Sequence, residues 1–126
     1  MRTLAIKRAY DPPSPRDGRR ILVDRLWPRG LSKARAELEG WEKDIAPSPA
    51  LRRWFGHRPE RFVEFRRLYR AELKDNPAVA RLRALAGKVT LLYGAHDPRI
   101  NHAVVLAQVL KPGKAKKARA KKTAAK

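Results

Sequence analysis

The segment that most constrains the fold is residues 88–110, KVTLLYGAHDPRINHAVVLAQVL. A run of β-branched and leucine residues from Val89 to Tyr93 stops at Gly94, a polar stretch follows, and an apolar helical pattern begins near Asn101. This is strand, loop and helix, the unit of an open α/β sheet. Ligands of such sheets bind in the crevice outside the carboxyl ends of the strands, where helix N-termini present free backbone N–H groups. Residues 94–102 are therefore the first place to look for a site, and they hold two of the three histidines.

Residues 3–7 alternate apolar and polar and then meet Tyr10-Asp11-Pro12-Pro13-Ser14-Pro15, where proline removes the ladder donors; a first strand runs into a proline-rich loop. Asp17-Gly18 marks a turn, and RILVDRL over 20–26 predicts a second strand, with Ile21, Val23 and Arg25 on one face and Leu22, Asp24 and Leu26 on the other. The pattern leaves the direction of that strand open. Ser32 is an N-cap for a helix from Lys33, and Leu38, Trp41 and Ile45 share a helical face, which predicts helix through 37–45 despite Gly40. Pro47-Ser48-Pro49 ends it and starts a short helix over 49–55, closed by Gly56.

Pro59 opens the clearest helix, to about residue 74, with Phe62, Phe65, Tyr69 and Leu73 along one face. Asn76-Pro77 starts another, with Val79, Leu82 and Leu85 inward, and Gly87 closes it. The last helix, residues 101–110, is apolar around most of its girth and is expected to pack on more than one side.

At 126 residues the chain suits one domain with one core and a tail. It contains no cysteine, which excludes disulfides, thiolate metal sites and cysteine nucleophiles and is compatible with a reducing compartment. No apolar run approaches the roughly 20 residues of a membrane span, and the N-terminus lacks a signal-peptide core, so a cytoplasmic location is expected. The net charge is +19, from 31 Lys+Arg against 12 Asp+Glu. Residues 111–126 hold eight of the cations and no acid, which leaves 23 cations against 12 acids, or +11, on residues 1–110.

Four groups of residues can carry chemistry. Asn101 and His102, with His96 and Asp97, stand where a strand end meets a helix N-terminus; the helix dipole favours an anion there, and a histidine can donate to it or move a proton. The structural alternative makes Asp97-Pro98 a turn, Asn101 an N-cap and His102 a satisfied histidine. In Asp24-Arg25-Leu26-Trp27-Pro28-Arg29-Gly30, Arg25 and Arg29 offer planar donors for phosphate or carboxylate and Trp27 a stacking face. The alternative there is an Asp24–arginine ion pair with Trp27 in the core. Trp54-Phe55-Gly56-His57 fits a helix end packed on the core better than a lid. In the tail, Lys114, Lys116, Lys117, Arg119, Lys121 and Lys122 suit non-specific nucleic acid. About six neutralised phosphates would give a slope near −5 in log K against log salt, and no aromatic residue is present there to read bases. A solubilising terminus is the alternative. No metal-ligand spacing, Walker loop, G-x-S-x-G or G-x-G-x-x-G occurs, so no metal or cofactor is expected.

Several of these stretches together resemble the uncharacterised YeaO-like family of bacteria and archaea. The matching pieces are Lys7-Arg8-Ala9-Tyr10-Asp11-Pro12, the long run RILVDRLWPRGLS over 20–32, Trp41-Glu42-Lys43-Asp44-Ile45-Ala46-Pro47-Ser48, Leu51-Arg52-Arg53-Trp54-Phe55, Phe65-Arg66-Arg67-Leu68-Tyr69 with Glu72-Leu73, and Thr90 to Tyr93 through Asn101-His102-Ala103. The resemblance covers nearly all of residues 1–110 and leaves the basic tail outside. It implies a compact α/β domain, brings no established reaction, and picks out Asp24, Arg25, Trp27, Arg29, Asn101 and His102 as matches to the family pattern, with His96 at a more variable place.

The resulting expectation is one α/β domain over residues 1–110, a sheet of about three strands covered by helices, and a disordered Lys/Ala-rich tail from Lys111. The core is expected to bind a small anionic or nucleotide-like ligand at the strand ends: Arg25 and Arg29 for the anion, Trp27 for stacking, Asn101 and His102 at the helix start. Turnover, where it occurs, would use His102 as acid or base with Asp24 as its partner. The competing expectation is a nucleic-acid-associated protein using a basic core surface together with the tail, and a weaker one is a module that binds an acidic protein. No membrane partner is expected.

Overall fold

A computed structural model describes residues 1–111. The expectations of tail disorder and of tail cations from Lys114 to Lys122 fall on residues 112–126, outside the described residues. Four strands form one parallel sheet among the described residues: β1 (Thr3–Arg8), β2 (Arg19–Leu22), β3 (Gly40–Trp41) and β4 (Lys88–Tyr93), in the order β1-β4-β2-β3. Five helices accompany it: α1 (Lys33–Ala36), α2 (Pro49–Phe55), α3 (Phe62–Lys74), α4 (Ala78–Arg83) and α5 (His102–Leu110). The architecture is the expected α/β domain with one strand more than about three. Among the described residues no helix is long and apolar enough to cross a membrane.

The last strand in sequence lies inside the sheet. β4 pairs along its whole length with β1, from Thr3↔Lys88 to Arg8↔Tyr93, and on its other side with β2 from Arg19↔Val89 to Leu22↔Leu92. Its residues Val89 to Tyr93 are all buried, as a parallel strand covered on both faces requires. Alternation sorts the side chains. Ile21, Val23, Val89, Leu91 and Tyr93 join the main core with α2 to α5, while Leu22, Leu92 and Ala9 face a smaller cluster with Trp27, Leu31, Leu38 and Trp41.

That division explains the element the sequence pattern misplaced. α1 starts as expected, with the Ser32 hydroxyl accepting from the Arg35 N–H at 3.1 Å, but it stops at Glu37, which adopts a left-handed conformation (φ 46°) and returns its N–H to the Lys33 carbonyl. The helix predicted through 37–45 is instead β3 followed by a 3-10 turn, Lys43–Ile45. Leu38 and Trp41 pack on the smaller cluster and Ile45 in the main core, so their helix-like spacing comes from burial on two different faces. β2 is also shorter than the 20–26 expected. The Val23 N–H still donates to Leu92 O at 3.0 Å, and beyond it the chain leaves the sheet.

Gly18, just before β2, has φ +65°, and a Cβ there would lie 2.6 Å from the Lys88 carbonyl oxygen; only glycine brings the turn this close to β4. Beside it Asp17 is buried. Burial raises its carboxyl pKa, but hydrogen bonds from Lys7, the Ser14 N–H and Arg20 outweigh that and hold it below the ordinary value. Arg20, buried as well, also donates to the Ala36 and Glu37 carbonyls, which ties the end of α1 to β2.

Candidate functional site

At the carboxyl ends of β2 and β4 the chain encloses a cleft of about 690 Å³. Its walls come from the loop after β2 (Asp24 to Arg29), the loop between β4 and α5, Ala46 and Pro47, Arg52 and Phe55 of α2, His57, and Phe65 of α3. Asp24, Arg25, Trp27, Arg29, Asn101 and His102 all line it, as does His96.

Asp24 joins the two strand ends. One carboxylate oxygen accepts from the Gly94 N–H at 2.8 Å; the other is buried, has no hydrogen-bond partner, and stands 3.2 Å from His102 Nε2. A Cβ on Gly94 would lie 2.9 Å from the Asp24 carboxylate, so this contact depends on glycine. The same His102 nitrogen is 3.0 Å from the Val23 carbonyl. The imidazole meets the Tyr69 ring edge-on at 6.3 Å, and the Tyr69 hydroxyl donates to Ile45 O at 2.7 Å. Burial raises the Tyr69 pKa far above its ordinary value and keeps it a proton donor. The Asp24–arginine ion pair of the structural alternative does not form; a backbone N–H and a histidine take that place.

Asn101 is buried, and both ends of its amide are used. The oxygen caps α5 by accepting from the Val104 N–H at 3.0 Å, and the nitrogen donates to Asp97 O at 2.7 Å. Asp97 in turn accepts from the N–H groups of Arg99 and Ile100, which makes the turn read from the sequence. The Trp27 indole N–H donates to Leu31 O, and its ring meets Trp41 edge-to-face with centroids 5.4 Å apart, so the residue both packs the smaller cluster and lines the cleft.

The arginines differ from these neighbours. Arg25 donates through one nitrogen to the carbonyls of Ala46 and Pro47, at 3.2 and 3.3 Å, while its buried Nε has no partner. Arg29 is exposed, and its carbonyl accepts from the Tyr10 hydroxyl at 2.7 Å. Arg52 reaches the cleft from α2. No ion pair involves Arg25, Arg29 or Arg52 among the described residues, and the two lining carboxylates, Asp24 and Asp97, are already engaged. Sequence reasoning missed Arg52 as a cleft residue: it lies in a helix whose packing across the strand ends is tertiary information, and no local motif flags it. His57, with φ 59°, borders the cleft at the end of α2. Among the described residues no group of three or more His, Asp or Glu could hold a metal ion.

The chain is 46% identical over 107 residues to the uncharacterized protein Rv3073c of Mycobacterium tuberculosis, covering 83% of this chain and 91% of that protein. It is likewise 46% identical over 108 residues to the uncharacterized protein YeaO of Escherichia coli, covering 83% and 94%. No solved structure matches it. A family model matches residues 3–126, so the similarity continues into the tail, past the Leu110 where the motif resemblance stops. On that match and those relatives, the chain belongs to the DUF488-N3i family, described as the inactive DUF488-N3 subclade.

Proposed function

We propose that the cleft binds a small anionic or nucleotide-like ligand. The observation that carries this reading is the trio Arg25, Arg29 and Arg52, which lines one concavity without a carboxylate partner among the described residues. Guanidinium groups in a partly enclosed site bind phosphate or carboxylate through paired, charge-assisted hydrogen bonds. In this reading Arg25, Arg29 and Arg52 take the anion, the Trp27 ring offers a face to a flat group, and Asn101 fixes the first turn of α5. His102 and Asp24 are the pair through which a proton would move in any turnover. The family's description as an inactive subclade favours binding over catalysis. The cysteine-free composition goes with a cytoplasmic setting.

Calorimetric titration of the full chain with adenosine monophosphate and with inorganic pyrophosphate tests the proposal. Saturable binding is expected, weakened about ten- to hundredfold by Arg52→Gln, the range for loss of a charge-assisted hydrogen bond. Heat signals that do not saturate, or an Arg52→Gln protein with unchanged affinity, overturn it. For the proton-transfer role, a His102→Ala protein that keeps full affinity and any turnover rules His102 out.

A further inference from the structure

Two acceptors converge on one nitrogen of His102. Nε2 lies 3.0 Å from the Val23 carbonyl and 3.2 Å from the buried Asp24 oxygen, which has no hydrogen-bond partner. A carbonyl and a carboxylate accept hydrogen bonds and cannot donate them, so the proton of the neutral imidazole sits on Nε2, donating to Val23 O with the Asp24 charge beside it. Each brace is itself held. The Gly94 N–H anchors Asp24 at 2.8 Å, and Tyr69, which meets the imidazole edge-on, is fixed by its own hydroxyl on Ile45 O. The chain therefore sets both the tautomer and the direction of the ring before any ligand arrives.

The other ring nitrogen, Nδ1, is then an acceptor. Among the described residues no group of the chain donates to it, and it is not one of the buried polar atoms without a partner. His102 lines the cleft and its side chain is 16% exposed, so this acceptor opens there. The polar neighbours have spent their protons elsewhere: the Tyr10 hydroxyl on Arg29 O, the Trp27 indole on Leu31 O, the Asn101 amide on Asp97 O. What the cleft offers a ligand is guanidinium for an anion and Nδ1 for a donor. An ammonium donor would bring another positive charge among the arginines, at a cost in repulsion. A hydroxyl donates without charge, and about 690 Å³ holds a ligand with both groups.

We propose that the cleft selects anions that also carry a hydroxyl, of the phosphorylated-sugar or nucleoside-monophosphate class, and that this hydroxyl donates to His102 Nδ1. The inference rests on the anion reading of the cleft and adds the second group that the ligand must bring. Asp24 and Val23 are positioning residues in it, acting through the imidazole.

Long-range 1H–15N correlation spectra of the 15N-labelled full chain at about pH 8, above the ordinary histidine range, read the tautomer directly. The proton is expected on His102 Nε2, with Nδ1 bare; a proton on Nδ1 overturns the proposal whatever the cleft binds. Calorimetry then compares adenosine monophosphate with its 2′,3′-dideoxy analogue, which has the same charge and base but no ribose hydroxyl, and with inorganic pyrophosphate. Adenosine monophosphate is expected to bind about three- to tenfold more tightly than the analogue, the worth of one hydrogen bond. In His102→Gln the side-chain amide can still donate toward Val23 O but carries no acceptor in place of Nδ1, and the ratio is expected to fall to about one. Equal affinities for the two nucleotides in wild type, with pyrophosphate still bound, overturn the hydroxyl selection and leave the anion reading standing. So does a His102→Gln protein that keeps the wild-type ratio. Failure of all three compounds to bind overturns both.

Discussion

At the start of β2, Asp17 is surrounded by Lys7, Arg20 and the Ser14 N–H, and Arg20 has further acceptors in Ala36 and Glu37, so each buried charge there has its partners inside the chain. At the other end of β2, Arg25, Arg29 and Arg52 border a cleft with no carboxylate to take them, one Asp24 oxygen is buried without a hydrogen bond, and so is the Arg25 Nε. A buried charge costs stability unless it is paired. The first arrangement is what holding a fold requires. The second leaves guanidinium groups open to water or to a bound anion, and the contrast separates charge satisfied within the fold from charge left open at the cleft.

The strongest way to break this comparison is Asp17→Asn. It leaves Arg20 buried beside a neutral amide and should lower unfolding free energy by about 3–5 kcal/mol in denaturant titrations; a loss below about 1 kcal/mol would mean that charge does not hold that end. The pH dependence follows the same residue. A carboxyl whose folded pKa is depressed contributes its stability above its unfolded value, 3.8, and loses it as pH falls through the folded value. Wild type should therefore destabilise as the pH falls below about 4, and the Asp17→Asn substitution should remove that part of the acid limb.

Gly94→Ala sharpens the comparison at the cleft end. The new Cβ, 2.9 Å from the Asp24 carboxylate, must displace it, with an expected loss of about 1–3 kcal/mol in thermal or chemical unfolding and weaker anion binding. Unchanged melting would show that the Asp24–Gly94 contact holds nothing in place. Trp27→Phe removes the donor to Leu31 O and should cost about 1 kcal/mol, read in the same unfolding curves. Least of all should Arg52→Gln affect stability, within about 0.5 kcal/mol, although it is the change expected to weaken anion binding most. Should Arg52→Gln instead unfold the protein, the distinction between the two ends of β2 fails.

Most of the fold was legible because its signals are local. The β-branched run at β4, the Ser32 and Asn101 caps and the aromatic face of α3 each carry their own pattern, and the caps form as read. The parallel direction of β2 was not legible, since alternation fixes faces and not direction. β3 was hidden for a related reason: Leu38, Trp41 and Ile45 are buried as a helix would bury them, but against two sides of a sheet. The cleft's place at the strand ends followed from strand–loop–helix order. Its third arginine did not, because Arg52 meets Arg25 and Arg29 only after α2 packs across them.

The position of β4 bears on how the chain is made. Synthesis delivers β1 first and β4 last, yet among the described residues β1 pairs only with β4, and β2 needs β4 on one side. While a ribosome is still adding the residues before Tyr93, β1 has nothing to pair with and β2 can reach only the two residues of β3. Folding of the sheet must then wait for nearly the whole domain to emerge, and loop closure over that span makes the step slow. A nascent chain stalled ahead of β4 would expose the unpaired β1 edge, with Arg2, Lys7 and Arg8 as the charges that discourage its pairing with another chain.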